Sequence, residues 1–387
     1  MDRPELKYIH KLTERGLCEK GMPLFGTLND KISWTDDRPE REVLEHVLRE
    51  LNISAILFSG TAEPFSSILD CLAFNACGGS IVPDDTETRT FLHEIPVATG
   101  FSPEEIIPHL KRRKGVIVPG KGIITTGMIT PEQAFVTFSS ICFSCYVRLL
   151  TDYYYYTRGR RDLPRNPEKV IRLCIEHYGH LLGSLPGPPE LKGPFSSERG
   201  AMEAIIEAGR LTVESSMVDS YFGNISALYD GSIYITQTGS SLDELTGLID
   251  RCPLDGSSTC SITSSSEFTA HRGVYDLTDK KTILHGHPRF SVIMSLLCDR
   301  EECPNRGMCH IKCSASRHIE DVPIVPGEIG TGPAGLARTM PAAMKGRGVI
   351  VHGHGLFTAG DQDFTDAFRH LIDIERMCYE KYTGLTA

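Results

Sequence analysis

The chain has 387 residues, of which 40% are hydrophobic and 23% charged, and its 40 Lys and Arg stand against 50 Asp and Glu, a net charge of −10 at pH 7. This composition excludes global disorder and predicts two or three globular domains at about 150 residues each. The acidic balance argues against a dedicated nucleic-acid or anionic-membrane binder, because either one needs a basic face.

Targeting and redox features indicate a cytoplasmic protein. We find no run of about 18 apolar residues, so we expect no transmembrane helix and no membrane partner. Segment 1–12 is polar and lacks the apolar stretch of a secretory signal peptide. The 13 Cys, in a chain without an export signal, are expected to be mostly reduced thiols.

An internal repeat predicts two related domains. Residues 114–127 and 347–360 are identical at eight of fourteen positions, and the match continues from 134–135 to 367–368. Repeats of this kind indicate duplicated structural units. We therefore predict an α/β fold in which a mixed sheet is covered by helices in three αβα layers, present in two copies.

A linker and a second domain follow the first copy. Residues 157–195 contain one predicted helix at 168–182 and then a Pro- and Gly-rich segment, so we place the domains at 1–156 and 196–387. Periodicity and turn residues predict these elements in the second domain: a capped helix at 196–215, a hairpin turning at Asp230-Gly231, a Ser-capped helix within 264–276, a strand at 280–288, a helix at 290–298, a strand at 347–355 and a last helix from about 363 to 382.

Three histidines are candidate metal ligands. His285 and His287 are two residues apart in a predicted strand and so face the same side of the sheet, and His354 ends another predicted strand beside His352. A lone buried His is more often a core residue, but imidazoles that converge from neighbouring strands suit a divalent cation. The first copy lacks them: Pro119 and Lys121 replace His352 and His354, and residues 59–62 read Ser-Gly-Thr-Ala where 285–287 read His-Gly-His.

Five ordered motifs resemble the class II aldolase/adducin family. They are GNIS at 223–226, ITQTG at 235–239, SSSE at 264–267, HGHP at 285–288 and HGHGLFTAG at 352–360. The resemblance, to fuculose-phosphate and rhamnulose-phosphate aldolases and ribulose-phosphate 4-epimerases, covers 196–387. It implies a tandem in which residues 1–156 are a degenerate copy without metal ligands.

The resemblance implies a zinc-dependent lyase of the aldolase type. Zinc would be held by His285, His287 and His354, with Glu267 as the carboxylate at the metal and as the general base. The substrate would be a small hydroxylated sugar phosphate or acid that reacts through a metal-stabilised enediolate. Imidazole and carboxylate ligands also accept Mn²⁺, Co²⁺ or Fe²⁺. The residues implied to bind the phosphate or carboxylate, through backbone amides and small side chains, are Gly223, Asn224, Thr238, Gly239, Ser265 and Ser266.

The same motifs are compatible with functions other than aldol cleavage. Epimerase, dehydratase and decarboxylase chemistry use the same fold, and an adducin-like interaction protein without activity is a further reading. No motif identifies the proton donor, and the run 153–156 of four Tyr is expected to be a helix end that packs on the linker. Family enzymes form rings with active sites between subunits, so we expect a homo-oligomer, either a tetramer or a dimer that builds a four-domain pseudo-ring.

Two features depart from the family pattern. His352 is an extra imidazole and a candidate partner of a ligand. Residues 298–313 carry four thiols in a spacing that fits no standard zinc motif. A structural zinc, an iron–sulfur cluster, a disulfide and free thiols all remain open for these residues, which are Cys298, Cys303, Cys309 and Cys313, with His310 close by.

Overall fold

The computed structural model describes residues 3–76, 78–163, 166–219, 221–300, 302–313, 315–328, 332 and 334–386, with only the backbone at 261. The chain forms two compact units that meet in sequence between Tyr178 and Gly179. This division falls inside the helix predicted at 168–182, within the segment expected to be a linker. That helix is packed rather than free, because the Tyr146 hydroxyl donates a hydrogen bond of 3.2 Å to the Cys174 carbonyl.

The first unit is built on an antiparallel five-stranded sheet of order β2-β1-β3-β7-β6. Its strands are β1 (Leu24–Leu28), β2 (Ile32–Trp34), β3 (Ala55–Ser59), β6 (Gly115–Val118) and β7 (Gly122–Gly127), with β4 (Ser80–Ile81) and β5 (Ile95–Pro96) forming a separate pair. Its helices are α1 (Pro4–Glu14), α2 (Glu40–Leu51), α3 (Phe65–Ala76), α4 (Thr86–Leu92), α5 (Pro103–Leu110), α6 (Pro131–Tyr156) and α7 (Pro167–Gly183), the last of which ends in the second unit.

The second unit contains an eight-stranded sheet of order β10-β9-β8-β11-β15-β14-β13-β12, in which only β13 and β14 pair in parallel among the described residues. Its strands are β8 (Asn224–Tyr229), β9 (Ser232–Thr236), β10 (Ile249–Pro253), β11 (Thr282–Gly286), β12 (Arg317–Ile319), β13 (Val322–Val325), β14 (Gly348–Val351) and β15 (Gly355–Gly360). Its helices are α8 (Glu198–Glu214), α9 (Phe268–Leu277), α10 (Arg289–Leu296), α11 (Leu336–Ala343) and α12 (Phe364–Thr386).

Helices cover both faces of this sheet, which confirms the predicted α/β class and its three layers. On one face α9 and α11 bury Val274 and Met340 against Ile283 and Phe357 of the sheet. On the other face lie α8, α10 and α12. Strand β11 sits in the middle of the sheet, so its side chains are buried from both directions.

Local signals place most of the element boundaries. Ser197 caps α8 by accepting a hydrogen bond from the Gly200 N–H at 3.1 Å. Asp230 and Gly231 both adopt positive φ, 44° and 67°, as a two-residue hairpin turn requires. The predicted Ser cap of α9 is wrong, because Glu267 occupies that position without a side-chain cap and its carboxylate is engaged elsewhere.

The two units share their element order and strand register. The order β9-β8-β11-β15-β14 repeats the order β2-β1-β3-β7-β6, and the pairings place Phe58 at the position of His285. The hydrogen bond of 2.8 Å from the Thr125 hydroxyl to the Ala134 carbonyl recurs between Thr358 and Ala367. The predicted repeat is therefore present in the backbone, while membership of the first unit in the aldolase family stays a prediction.

Helix α6 contains an apolar stretch of the length that the sequence analysis did not find. It is long and apolar enough to cross a membrane by length and composition, which we had not expected from the sequence. However, 89% of its most apolar 18-residue window is buried inside the unit. Such burial is typical of the central helix of a globular core.

Candidate functional site

His285 and His287 lie at the end of the central strand β11. His285 is within the strand and His287 follows it directly, where its backbone N–H donates a hydrogen bond of 2.8 Å to the Met217 carbonyl. Both side chains are buried, and their Nε2 atoms lie 3.0 Å apart. The sequence prediction that the two imidazoles face the same side is consistent with this geometry.

His354 approaches them from the turn between β14 and β15. Its Nε2 lies 2.9 Å from Oε1 of Glu267, and Oε2 of the same carboxylate lies 3.6 Å from Nε2 of His285. Glu267 therefore comes from the start of α9 to meet two of the three imidazoles. The structure brings all four of these predicted residues together.

The Glu267 carboxylate is held in its ionised form. Burial alone would raise its pKa, but the neighbouring His285 and the hydrogen bond with His354 outweigh burial and keep the pKa well below its usual range. The Asn224 amide also donates a hydrogen bond of 2.7 Å to Oε2. A buried carboxylate with these partners is oriented as well as charged.

The imidazoles are held neutral and oriented. Burial lowers the pKa of His285 to about 4 and the pKa of His287 well below its ordinary value. The His285 Nδ1 lies 3.1 Å from the Leu356 carbonyl, so Nδ1 donates and Nε2 presents its lone pair. Phe357 stacks on the His285 ring with the ring centroids 3.8 Å apart and fixes its plane.

This donor set fits a divalent cation. Among the described residues, His285, His287 and His354 form a group whose ligand atoms all lie within 4.8 Å of one another. Two neutral Nε2 atoms that face each other at 3.0 Å need a shared proton or a cation between them. Imidazole nitrogens with one nearby carboxylate suit zinc and similar metals, with a coordination position left for substrate.

Three of the six residues predicted to bind an anion have backbone N–H groups that are hydrogen-bonded within the protein. Thr238 and Ser266 are exposed, and the Ser266 N–H donates to the Thr238 hydroxyl at 3.0 Å. The Ser265 and Thr238 N–H groups donate to the Thr236 and Thr263 carbonyls. In this structure the N–H groups of Thr238, Ser265 and Ser266 are therefore engaged within the protein, and the binding of an anion by these residues stays a prediction.

The two glycines of this set have conformational roles. Gly223 has φ +121°, and a Cβ there would lie 2.6 Å from the His285 carbonyl, so the β8 strand could not approach β11 as closely with a larger residue. Gly239 has φ +71° and lies in an exposed turn after β9. Asn224 keeps one buried atom, Oδ1, without a hydrogen-bond partner.

His352 and the four cysteines stay outside the site. His352 lies in the turn before His354, where its N–H donates to the Val325 carbonyl, and burial lowers its pKa to about 3. All four cysteines of 298–313 are half-buried thiols, and burial raises the pKa of the Cys309 thiol. In the described part of the chain they do not belong to the group of side chains that could hold a metal ion, so a second metal there is not supported.

Sequence reasoning missed three polar residues behind the site. His271 is fully buried, and its Nδ1 lies 2.7 Å from the Ser226 hydroxyl, which lies 2.7 Å from the Tyr275 hydroxyl. Their spacing carried a signal: His271 and Tyr275 follow Glu267 at intervals of four residues on α9, and Ser226 follows Asn224 by two on β8.

Glu375 is a further buried group that the sequence did not reveal. Its carboxylate accepts hydrogen bonds from the backbone N–H groups of Phe290 and Ser291 at 2.6 and 2.7 Å. These N–H groups open α10 and would otherwise be unsatisfied. Glu375 of α12 thereby anchors the segment that carries His285 and His287.

Comparison with known proteins agrees with the sequence motifs. Residues 203–382 match the model of the family described as "Class II Aldolase and Adducin N-terminal domain". A methylthioribulose-1-phosphate dehydratase of Bradyrhizobium sp. (strain BTAi1) is 28% identical over 185 residues, which are 44% of this chain and 85% of that protein.

Solved structures with similarity include L-fuculose-1-phosphate aldolase from Thermus thermophilus, at 21% identity over 48% of this chain and 92% of that one, with a TM-score of 0.37. YgbL of Klebsiella pneumoniae, titled a putative aldolase/epimerase/decarboxylase, is 22% identical over 49% of this chain and 91% of that one, with a TM-score of 0.38. The family match confirms the resemblance seen in the sequence for residues 203–382, which are slightly less than half of this chain.

Proposed function

We propose that the second unit is a divalent-metal-dependent lyase of the aldolase type that acts on a small hydroxylated sugar phosphate or hydroxy acid. The observation that carries the proposal is the convergence of His285, His287 and His354 on the Glu267 carboxylate. The first unit has the same strand order without this donor set, so the backbone alone does not demand the histidines.

His285, His287 and His354 would hold the cation, with zinc as the default and Mn²⁺, Co²⁺ or Fe²⁺ as alternatives. When bound, such a cation supplies Lewis-acid polarisation of a carbonyl oxygen. The His354 Nε2 now shares a hydrogen bond with Glu267, so a proton must leave that nitrogen before it can act as a ligand.

Glu267 is the base in this proposal. Its ionised carboxylate can take a proton from a hydroxyl or from a carbon beside a carbonyl group. Asn224 donates to Oε2 and so orients the carboxylate, while its buried Oδ1 is left to accept a hydrogen bond from a substrate hydroxyl. The hydroxyls of Thr238, Ser265 and Ser266 would contact an anionic group.

A dehydratase acting on the same substrate class is the second candidate. The relative from Bradyrhizobium with 28% identity is a methylthioribulose-1-phosphate dehydratase, and water loss next to a carbonyl uses the same base and the same polarised oxygen. An inactive adducin-like protein is disfavoured because it would have no use for three buried imidazoles around a buried carboxylate.

Metal stoichiometry and product analysis test the proposal together. We expect one equivalent of divalent metal per chain in the wild type and none in His285→Ala, measured by elemental analysis after anaerobic purification. Fuculose 1-phosphate and methylthioribulose 1-phosphate then serve as probes: aldol cleavage yields two carbon fragments, and dehydration yields one product lighter by one water. Absence of metal after reconstitution with zinc would overturn the enzyme proposal.

The assembly, the compartment and the first unit belong to the same proposal. We propose a homo-oligomeric cytoplasmic enzyme in which the first unit is a metal-free copy of the second. The shared strand order and register support that relationship. A monomeric mass in light scattering would contradict the oligomer.

A further inference from the structure

A buried polar network joins β8 to α9 behind the metal site. We call Asn224, Ser226, Glu267, His271 and Tyr275 the β8–α9 network. The two strand residues face one side of β8, and the three helix residues recur every four positions along α9. Asn224 contacts Glu267 at 2.7 Å, and Ser226 contacts both His271 and Tyr275 at 2.7 Å.

The part of the network formed by Ser226, His271 and Tyr275 is isolated from water, so its hydrogen bonds fix the position of α9. Ser226 and His271 are fully buried, and Tyr275 is 7% exposed. A buried polar group that loses its partner costs about 1–3 kcal/mol, so any rotation of α9 on β8 is opposed. Because Glu267 stands one turn before His271, and its carbonyl accepts the His271 N–H at 3.1 Å, the orientation of His271 is passed to Glu267.

His271 also contacts the imidazole side of the site. Its ring lies edge-on to Phe357, with centroids 6.0 Å apart, and the face of Phe357 stacks on His285 at 3.8 Å. His271 therefore contacts the Phe357 ring that stacks on His285, and it also contacts the backbone of Glu267. Its second nitrogen, Nε2, is buried and has no hydrogen-bond partner among the described residues.

The first unit shows that the fold does not need this network. The strand positions that correspond to Asn224 and Ser226 are Leu24 and Gly26. The corresponding helix α2 buries Leu44 and Leu48 in an apolar cluster with Leu24. The same strand–helix packing is thus achieved without buried polar groups in the copy that lacks the histidines.

We propose that His271, held by Ser226 and Tyr275, is a positioning residue that fixes the Glu267 carboxylate and the His285 ring for metal binding. This inference rests on the proposed function of the site. It assigns His271 no contact with substrate and no transfer of a proton.

The test compares zinc affinity and the visible spectrum of the Co²⁺-substituted protein in matched variants. We expect His271→Leu, which keeps volume but removes both ring nitrogens, to lower zinc affinity about 10–100-fold and to change the Co²⁺ spectrum. His271→Asn keeps a polar atom near the Nδ1 position and is expected to restore most of the affinity. His370→Leu is the control, because His370 contacts the Ala359 carbonyl from α12, away from the network.

The outcomes separate this inference from the proposed function. If the wild type binds no metal, both fail. If the wild type binds zinc and His271→Leu binds it with the same affinity and the same Co²⁺ spectrum, only the positioning role of His271 is overturned. Should His271→Leu fail to fold, Ser226→Ala and Tyr275→Phe each remove one hydroxyl, and unchanged zinc affinity in both would overturn it equally.

Discussion

Gly355 is the position where one added methyl group tests the proposed metal site most directly. It opens β15 immediately after His354. A Cβ built there would lie 2.7 Å from Cε1 of His285, 2.7 Å from Cδ2 of His287 and 2.5 Å from the Gly286 carbonyl oxygen. Gly355→Ala therefore pushes on both β11 imidazoles at once without removing any donor atom.

The size of the expected effect follows from these distances. Ordinary van der Waals contact begins at 3.4 Å, so each ring must recede by about 0.7 Å from its present 2.7 Å. Metal–ligand distances tolerate only about 0.2 Å of change. We expect a loss of at least about tenfold in zinc affinity, or about 1.4 kcal/mol. Overpacking should also lower the free energy of unfolding by about 1–3 kcal/mol.

A zinc titration against a competing chelating dye measures the first quantity, and denaturant unfolding of the metal-free protein measures the second. Gly348→Ala is the matched control. Its Cβ would lie 2.8 Å from the Phe357 carbonyl oxygen of the same sheet and 2.9 Å from Cδ1 of Ile374 of α12, without touching a histidine. Both variants should lose stability, and only Gly355→Ala should lose zinc affinity.

A Gly355→Ala protein that unfolds as easily as Gly348→Ala but binds zinc as tightly as the wild type would refute the proposed metal-binding geometry. In that case His285 and His287 would not bind a metal from the positions they occupy here.

Three further predictions concern carboxyl groups. Glu267→Gln keeps the three imidazoles but removes the proposed base, so we expect metal content to be unchanged and turnover to fall about 10²–10⁴-fold; an active Glu267→Gln enzyme would assign the base elsewhere. Burial raises the pKa of Asp85, which caps α4, to about 6 from an ordinary 3.8. The folded state then binds the proton more tightly than the unfolded state, so the free energy of unfolding should fall by about 2 kcal/mol as the pH rises from 4 to 6. Asp85→Asn cannot ionise and keeps a cap, so it should abolish this slope in denaturant titrations; an unchanged slope would show that other groups produce it. Glu375→Gln replaces one of the two carboxylate oxygens that accept hydrogen bonds from the start of α10. We expect the free energy of unfolding, measured by denaturant titration, to fall by about 1–3 kcal/mol. Unchanged stability would mean that α10 is anchored by its apolar contacts alone.

The histidines of the proposed metal site could be identified from the sequence because their signal is local. Two His-Gly-His motifs at strand ends, both of which are missing from the aligned copy, identify donor atoms without any knowledge of packing. The assignment of Glu267 needed the family resemblance, since a Glu at a helix start is common on a solvated surface. Its partner Asn224 lies 43 residues away on β8, so no local pattern in the sequence shows that contact.

The residues predicted to bind an anion and helix α6 show what the sequence pattern leaves undecided. Ser265 and Ser266 have the composition of an anion-binding turn. However, the Ser265 N–H donates to the Thr236 carbonyl and the Ser266 N–H donates to the Thr238 hydroxyl, both at the end of β9. The sequence of an apolar helix such as α6 does not distinguish burial inside a protein from burial in lipid. Which atoms are left unpaired depends on neighbours that are distant in sequence.

The sequence by itself determined the repeat, the element order, the turn at Asp230-Gly231 and the identity of the donor side chains, because periodicity and turn chemistry act over a few residues. Only the tertiary structure decided which imidazole nitrogen of His285 faces the site, that the Glu267 carboxylate is held ionised, and that His271 lies buried against Ser226 one helical turn after Glu267. His354 and Glu267 are 87 residues apart, and their contact exists because the packing of α9 on the central strands sets the distance between them.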